Sequence, residues 1–268
     1  MQIDIFTREH TDVSNRIETI GQNVRVIHIK AGEPEAHVGE LYAHLPEFLE
    51  QVNTFKEEQG LKYDVVHSHY WLSSWVGREL SQAMGVPHVV TFHTLALLKM
   101  QSRAGEVEQA ERPVVEGEVM ATADRIIAFS PHERDAMVRL YGADAAKISL
   151  VPCGVDLSVF CPLDRKTARG RLGLNGDKIL LYVGRVEPLK GLDLLVETAA
   201  QMDSEEGVRV MVVGADVNGD REMDRVKLLA KERDLEDQID FVGQARSCRP
   251  EAVCRRPGPL SSTSDRFL

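Results

Sequence analysis

Short strand-like runs alternating with helical patterns recur along this chain and constrain its fold more than any other feature. The runs are Met1 to Thr7, Val24 to Ile29, Tyr63 to Ser68, Val86 to Phe92, Arg125 to Phe129, Ile148 to Val151, Lys178 to Val183, Arg209 to Val213 and Ile239 to Val242. Between them, Leu41, Leu45, Phe48, Leu49, Val52 and Phe55 recur at roughly helical spacing, and further helical patterns cover WLSSWVGRELSQAMG, Arg112 to Thr122, HERDAMVRLYG, Arg165 to Leu172, Leu192 to Met202 and Glu222 to Arg233. The segment TREHTDVSNRIETIGQN reads as a polar connector. Strands alternating with helices predict α/β architecture: parallel sheets with helices on both faces and ligands at the carboxyl ends of the strands. Periodicity breaks at VPCGVDLSVFCP, residues 151–162, which predicts a hinge. Two Rossmann-like domains are therefore expected, 1–150 and 163–245, facing a cleft.

The second domain carries the strongest chemical signal. In ILLYVGRVEPLKG, Ile179 to Gly191, an apolar strand runs into Gly184, then Arg185, Pro188, Lys190 and Gly191, and an amphipathic run follows. Phosphate binding needs those parts: a glycine that lets backbone approach, cations, and a helix N-terminus with free N–H groups. Arg185 can fork onto phosphate oxygens, and Lys190 acts as a point charge. The alternative is a solvated loop with two surface cations.

Three groups in the first domain stand at strand ends or on a helix. His67, His69 and Tyr70 follow a buried-looking strand in VVHSHYW. Two histidines at i and i+2 suggest metal ligation, but no third ligand is evident; a structural role, with side chains on alternate sides of the strand end, is the other reading. Phe92, His93 and Thr94 close the next strand, where a histidine is ordinarily a packed or capping residue. Arg112 and Glu116 lie one helical turn apart and read locally as a surface pair of small energetic weight.

These motifs occur in one order: HSHYWLSSWVG, FHT, Arg112 with Glu116, VPCGVDLSVFCP, RLGL and YVGRVEPLKG. In that order they resemble the retaining glycosyltransferases of family 4, closest to the branch of sucrose-phosphate synthases and mycothiol glycosyltransferases. The resemblance implies the GT-B fold, two Rossmann-like domains of which the second is incomplete here. It implies transfer of a sugar from a nucleotide-sugar donor (UDP-, GDP- or ADP-sugar) to a hydroxyl of a sugar or sugar-phosphate acceptor, with retention of anomeric configuration. By the same resemblance Gly184, Arg185 and Lys190 hold the donor diphosphate. His93 lies beside the donor sugar as the catalytic residue, and Tyr70, Thr94 and Arg112 bind the acceptor. The turn of Gly154, Val155 and Asp156 lies on the cleft wall, with Cys153 where the family usually has asparagine. No metal or other cofactor is implied, since two cations can neutralise the leaving diphosphate.

Charge and cysteine usage narrow the partners. A net charge of −10 argues against a nucleic-acid binder, which would carry a basic patch. Cys153, Cys161, Cys248 and Cys254 form no CxxC pair, so neither a disulfide framework nor a zinc site is expected, and a reducing cytosol is the default compartment. No run of membrane-spanning length is visible, and nothing demands peripheral membrane contact.

Three departures from the family set a competing expectation. Met1 starts close to what resembles the family's second strand, so the first strand and its Gly-rich loop are missing. The sequence after DFVGQ lacks the E-x-F-G-x-x-x-x-E element. The tail from Arg246 to Leu268 is rich in Arg, Pro, Ser and Cys and is expected to lack order. A lysine that serves acceptor phosphate in some relatives would fall near Gly39 and is absent. The competing reading is a truncated, catalytically inactive remnant with at most weak binding of nucleoside diphosphates. A dinucleotide-dependent dehydrogenase fits the fold pattern alone, because no G-x-G-x-x-G follows an early strand.

Overall fold

The structure, a computed structural model, describes residues 1–10, 15–102, 107–174, 178–202, 207–214 and 221–243. The chain divides into two compact units, the first Met1–Cys153 and the second starting at Gly154. The sequence from Arg246 onward, with Cys248 and Cys254, lies outside the described residues.

In the first unit, β1 (Ile3–Arg8) pairs in parallel with β3 (Val24–Ile29). Their register sets Asp4 opposite Arg25, whose Nε and Nη2 donate to the two carboxylate oxygens at 2.8 and 2.6 Å. The connector read as polar is a correction: it contains β2 (Ile17–Gly21), antiparallel to β3, so this sheet is mixed. All of β2 but Gly21 is exposed, so no alternation of buried and polar positions announces it. A second sheet is wholly parallel, in the order β4 (Val66–His69), β5 (His88–Thr91), β6 (Arg125–Ala128) and β7 (Ile148–Leu150). Its central strands are nearly all apolar or β-branched, as expected where helices cover both faces.

The helices of this unit are α1 (Leu45–Glu58), α2 (Tyr70–Met84), α3 (Ala96–Ser102), α4 (Glu111–Thr122) and α5 (Pro131–Tyr141). The one at Ala96–Ser102 escaped the pattern because seven residues carry too few turns to show a period. Gly85 closes α2 at φ 66°, a left-handed cap that other residues adopt only with strain. Ser130 caps α5, its hydroxyl accepting from the Glu133 N–H. Phe55, Trp71, Val90, Phe92, Val119, Ile126 and Met137 are buried in one core.

Beside that core, a titratable group sits on a helix–sheet contact. His88 is buried, its Nε2 lies 2.7 Å from the Ser68 hydroxyl oxygen, and a Cβ at Gly77 of α2 would come within 2.7 Å of it. Glycine at 77 is thus what lets α2 lie on β4 and β5. Burial pushes the His88 imidazole down to about 4. The unfolded chain takes up this proton near 6.5 and the folded chain only near 4, so the stability contribution is intact above pH 6.5 and is lost, by ~3 kcal/mol, as pH falls to about 4. Both tryptophans, Trp71 and Trp75, lie in α2, so their fluorescence reports the first unit. Urea melts followed this way at pH 7.5 and 4.5 are expected to lose less stability on acidification for His88→Gln than for the unaltered chain.

The second unit has α6 (Arg165–Leu172), β8 (Lys178–Val183), α7 (Leu192–Ala200), β9 (Val208–Val213), α8 (Arg221–Glu232) and β10 (Ile239–Gly243). The strands form a parallel sheet in the order β10, β9, β8. Val210, Val212 and Ile239 on one face pack against Leu192 and Val196 of α7 and Met223 and Val226 of α8. On the other face of β8, Leu181 and Val183 are exposed.

Candidate active site

The ends of β4 and β5 bring the first-unit residues together. Tyr70, the first residue of α2, has φ 75°, and His93, two residues past β5, has φ 65°. Both are left-handed conformations that cost a side-chain-bearing residue about 1–3 kcal/mol, and such strain tends to collect where function constrains the chain. The two histidines before Tyr70 lie on one face of β4, their rings 4.3 Å apart between centroids. This corrects the expectation of alternate sides: positions i and i+2 of a strand share a face. The alternate position, Ser68, is buried. His67 Nε2 reaches the Thr91 hydroxyl at 2.9 Å, and His69 Nδ1 reaches His93 Nε2 at 2.8 Å. Among the described residues no group of three His, Cys, Asp or Glu side chains is placed to hold a metal ion.

Arg112 and Glu116 are not a surface pair. Arg112 is 1% exposed and Glu116 is fully buried. The guanidinium donates from Nε to Glu116 at 2.8 Å, from Nη1 to Glu108 at 2.8 Å, and from Nη2 to the Thr94 carbonyl at 2.9 Å and hydroxyl at 2.8 Å. Four of its five N–H groups are thereby committed. Its carbon centre lies 5.0 Å from the centroid of the Tyr70 ring, a cation–π contact. Thr94, Tyr70 and Arg112, from three separate stretches of sequence, thus meet at one point.

Several partners in this network went unnoticed in the sequence. Glu116 also accepts from the Ala96 N–H at 3.0 Å and from the Tyr141 hydroxyl. Burial pushes the Glu116 carboxyl above the usual carboxylate range, against the pull of Tyr141, Ala96 and Arg112. Every one of those partners is a donor, so the network is built for the ionised form. Burial also raises Glu108, but Lys99 and Arg112 outweigh it and hold that carboxyl low. Glu108 stands four residues before Arg112, as Glu116 stands four after, and that double spacing was the one available signal.

In the second unit, Gly184 follows β8, Pro188–Lys190 form a single 3-10 turn, and α7 begins after Gly191. Gly191 has φ 68°, which glycine adopts freely; it offers no capping side chain, and in the first turn of α7 the Leu194 N–H donates to the Asp193 carboxylate at 3.0 Å. Arg185 and Lys190 are both exposed, so the chain folds this turn with its cations in solvent. Arg185 Nη1 lies 2.6 Å from Glu187 Oε1, and the Tyr182 hydroxyl donates to the Arg185 carbonyl at 2.7 Å. At the end of β9, a Cβ on Gly214 would come within 2.8 Å of the Gly184 carbonyl oxygen, so the two strand ends approach as closely as glycine backbones allow. Strand end, cations and helix N-terminus together make a surface suited to an anion.

Comparison with known proteins places the chain in a family. Residues 1–154 match the family described as Glycosyl transferase 4-like domain, and residues 164–255 match Glycosyl transferases group 1. The chain is 40% identical over 256 residues to a D-inositol 3-phosphate glycosyltransferase of Actinosynnema mirum, covering 90% of this chain and 61% of that protein. It is similar to sucrose-phosphate synthase of Thermosynechococcus elongatus, with a TM-score of 0.79 and 32% identity over 90% of this chain and 60% of that one. Anabaena HepE, solved with UDP and glucose, shares the fold at a TM-score of 0.65 and 17% identity, covering 92% of this chain and 70% of that one. The chain spans about 56–61% of the length of the first three curated relatives it matches. The α/β units, each with a wholly parallel sheet, are those of the GT-B fold. Over residues 1–154 the match takes in the whole strand-end cluster of the first unit, and on that ground the protein belongs to the glycosyl transferase 4-like family.

Proposed function

We propose that this protein is a retaining glycosyltransferase that takes a hexose from a nucleotide-sugar donor. The observation that carries the reading is the turn from Gly184 to Gly191, where Arg185 and Lys190 stand exposed before the N-terminus of α7. A nucleoside diphosphate leaving from the sugar gains negative charge as the bond breaks, and fixed cations lower that barrier without a metal ion. HepE, whose solved complexes contain UDP and glucose, supports a nucleotide-sugar donor, and the curated relatives named for D-inositol 3-phosphate support a polyol or sugar acceptor.

In the first unit Thr94, Tyr70 and His93 form the acceptor side, with His93 beside the transferred sugar. Arg112 serves the acceptor through Thr94 and Tyr70, since four of its five donors are committed. The test is incubation with UDP-, GDP- and ADP-glucose and a panel of polyols and their phosphates, with proton NMR of the product. The reading expects release of nucleoside diphosphate and a product with the donor's anomeric configuration. An inverted product contradicts it, as does failure with every donor.

Glu187 adds a prediction. Its carboxylate occupies Arg185 and competes with an incoming diphosphate for the same guanidinium. An exposed pair of this kind is worth little, so Glu187→Gln is expected to tighten UDP binding by up to about 5-fold, read by calorimetry at low salt.

A further inference from the structure

The mechanism above uses His93 and leaves His69 unassigned, yet the two rings share a hydrogen bond. His69 Nδ1 and His93 Nε2 lie 2.8 Å apart, with ring centroids 5.1 Å apart and planes 28° from parallel. Between two neutral imidazoles such a contact requires one N–H and one lone pair. Two arrangements satisfy it. Either His93 Nε2–H donates to His69 Nδ1, and both rings carry their proton on Nε2; or His69 Nδ1–H donates to His93 Nε2, and both carry it on Nδ1. The Nε2–H form is the intrinsically favoured tautomer of a neutral histidine side chain. The first arrangement gives both residues that form, and the second denies it to both.

We infer that His69 is a positioning residue: by accepting from His93 Nε2–H it fixes the tautomer of His93 and leaves the His93 Nδ1 lone pair free to accept a hydrogen bond from a hydroxyl of the transferred sugar. The sugar-facing half of this statement rests on the proposed glycosyl transfer; the tautomer half does not.

Backbone and packing hold the pair in place. His69 is the last residue of β4, and the left-handed Tyr70 turns the chain directly after it. His93 is itself left-handed, and its ring rests 5.2 Å from Phe129 at the end of β6. Three successive residues of β4 reach across to β5 and its end: His67 to Thr91, Ser68 to His88, and His69 to His93. Burial and the neighbouring His67 and His93 lower the His69 imidazole, which keeps it neutral and its Nδ1 able to accept. A histidine with both nitrogens free would exchange tautomers and offer the sugar a donor part of the time; the paired one offers an acceptor throughout.

The test is nitrogen-15 NMR of the imidazole rings in the full chain at pH 7.5. His93 is expected to show a pyrrole-type Nε2 and a pyridine-type Nδ1. In His69→Phe, which keeps a ring but no acceptor, the two nitrogens are expected to move toward averaged shifts. His69→Asn, whose Oδ1 sits where Nδ1 was, is expected to restore the original pattern. A pyrrole-type Nδ1 on His93 in the unaltered chain overturns the inference without any variant having to fold. So do His93 shifts that stay unmoved in a folded His69→Phe chain. UDP-glucose is then added: a His93 Nδ1 signal that stays put, with the tautomer as expected, fails the sugar contact and leaves the pairing intact.

Discussion

Replacing Arg112 with methionine is expected to destabilise the first unit by about 3–5 kcal/mol at pH 7.5, the largest stability loss foreseen for any single substitution here. The reason is what remains. Glu116 stays fully buried with its carboxylate, Glu108 loses one of its two cations, and Thr94 loses the donor on both its carbonyl and its hydroxyl. Methionine fills much of the volume, so the loss reports uncompensated charge and not a cavity. The sign of the pH dependence follows from the same carboxyl. Its folded value is already raised by burial, and losing the guanidinium raises it further, so the folded variant holds its proton to a higher pH than the unfolded chain does. The penalty is therefore smallest in acid and grows as pH rises toward neutrality. Urea melts read by Trp71 and Trp75 fluorescence at pH 5 and 7.5 check both points, and Arg112→Met with Glu116→Leu should recover part of the loss by removing the stranded charge.

Binding shows the other large effect. Arg185→Ala and Lys190→Ala are each expected to weaken UDP binding by about 10-fold to 100-fold, since each removes a charge-assisted contact to the diphosphate. Both changes together should abolish measurable binding. The side chains are exposed, so the fold pays nothing for their loss, and the fluorescence melts of the first unit should be unchanged. Calorimetric titration at low and moderate salt measures the effect, and affinity should fall as salt rises because the contacts are ionic.

The parts of this structure that the sequence made legible are those with a period or a turn signal. Strands β3 and β8 and helix α6 fall at the residues their patterns define: β8 runs into Gly184, and α6 lies between Asp164 and Gly173. Strand β2 was illegible because four of its five residues are exposed and its pairing with β3 is a tertiary fact. The candidate site divides the same way. Gly184, Arg185 and Lys190 stood out in the sequence because they lie close together in one turn, the spacing that phosphate chemistry needs. The burial of the Arg112–Glu116 pair was not, since Thr94 reaches Arg112 and Tyr141 reaches Glu116 from separate stretches, and a helical i, i+4 pair looks alike on a surface and in a core. The link from His69 to His93 depends on the register of β4 against β5, which no local pattern encodes.

The measurement that bears most directly on the central claim is a UDP titration followed by NMR of backbone amides and arginine side chains. The account predicts saturable shifts at the Gly184, Gly191 and Leu192 amides and at the Arg185 Nε–H, all with one dissociation constant. Saturable binding whose shifts fall elsewhere contradicts it, as does the absence of any shift at that turn.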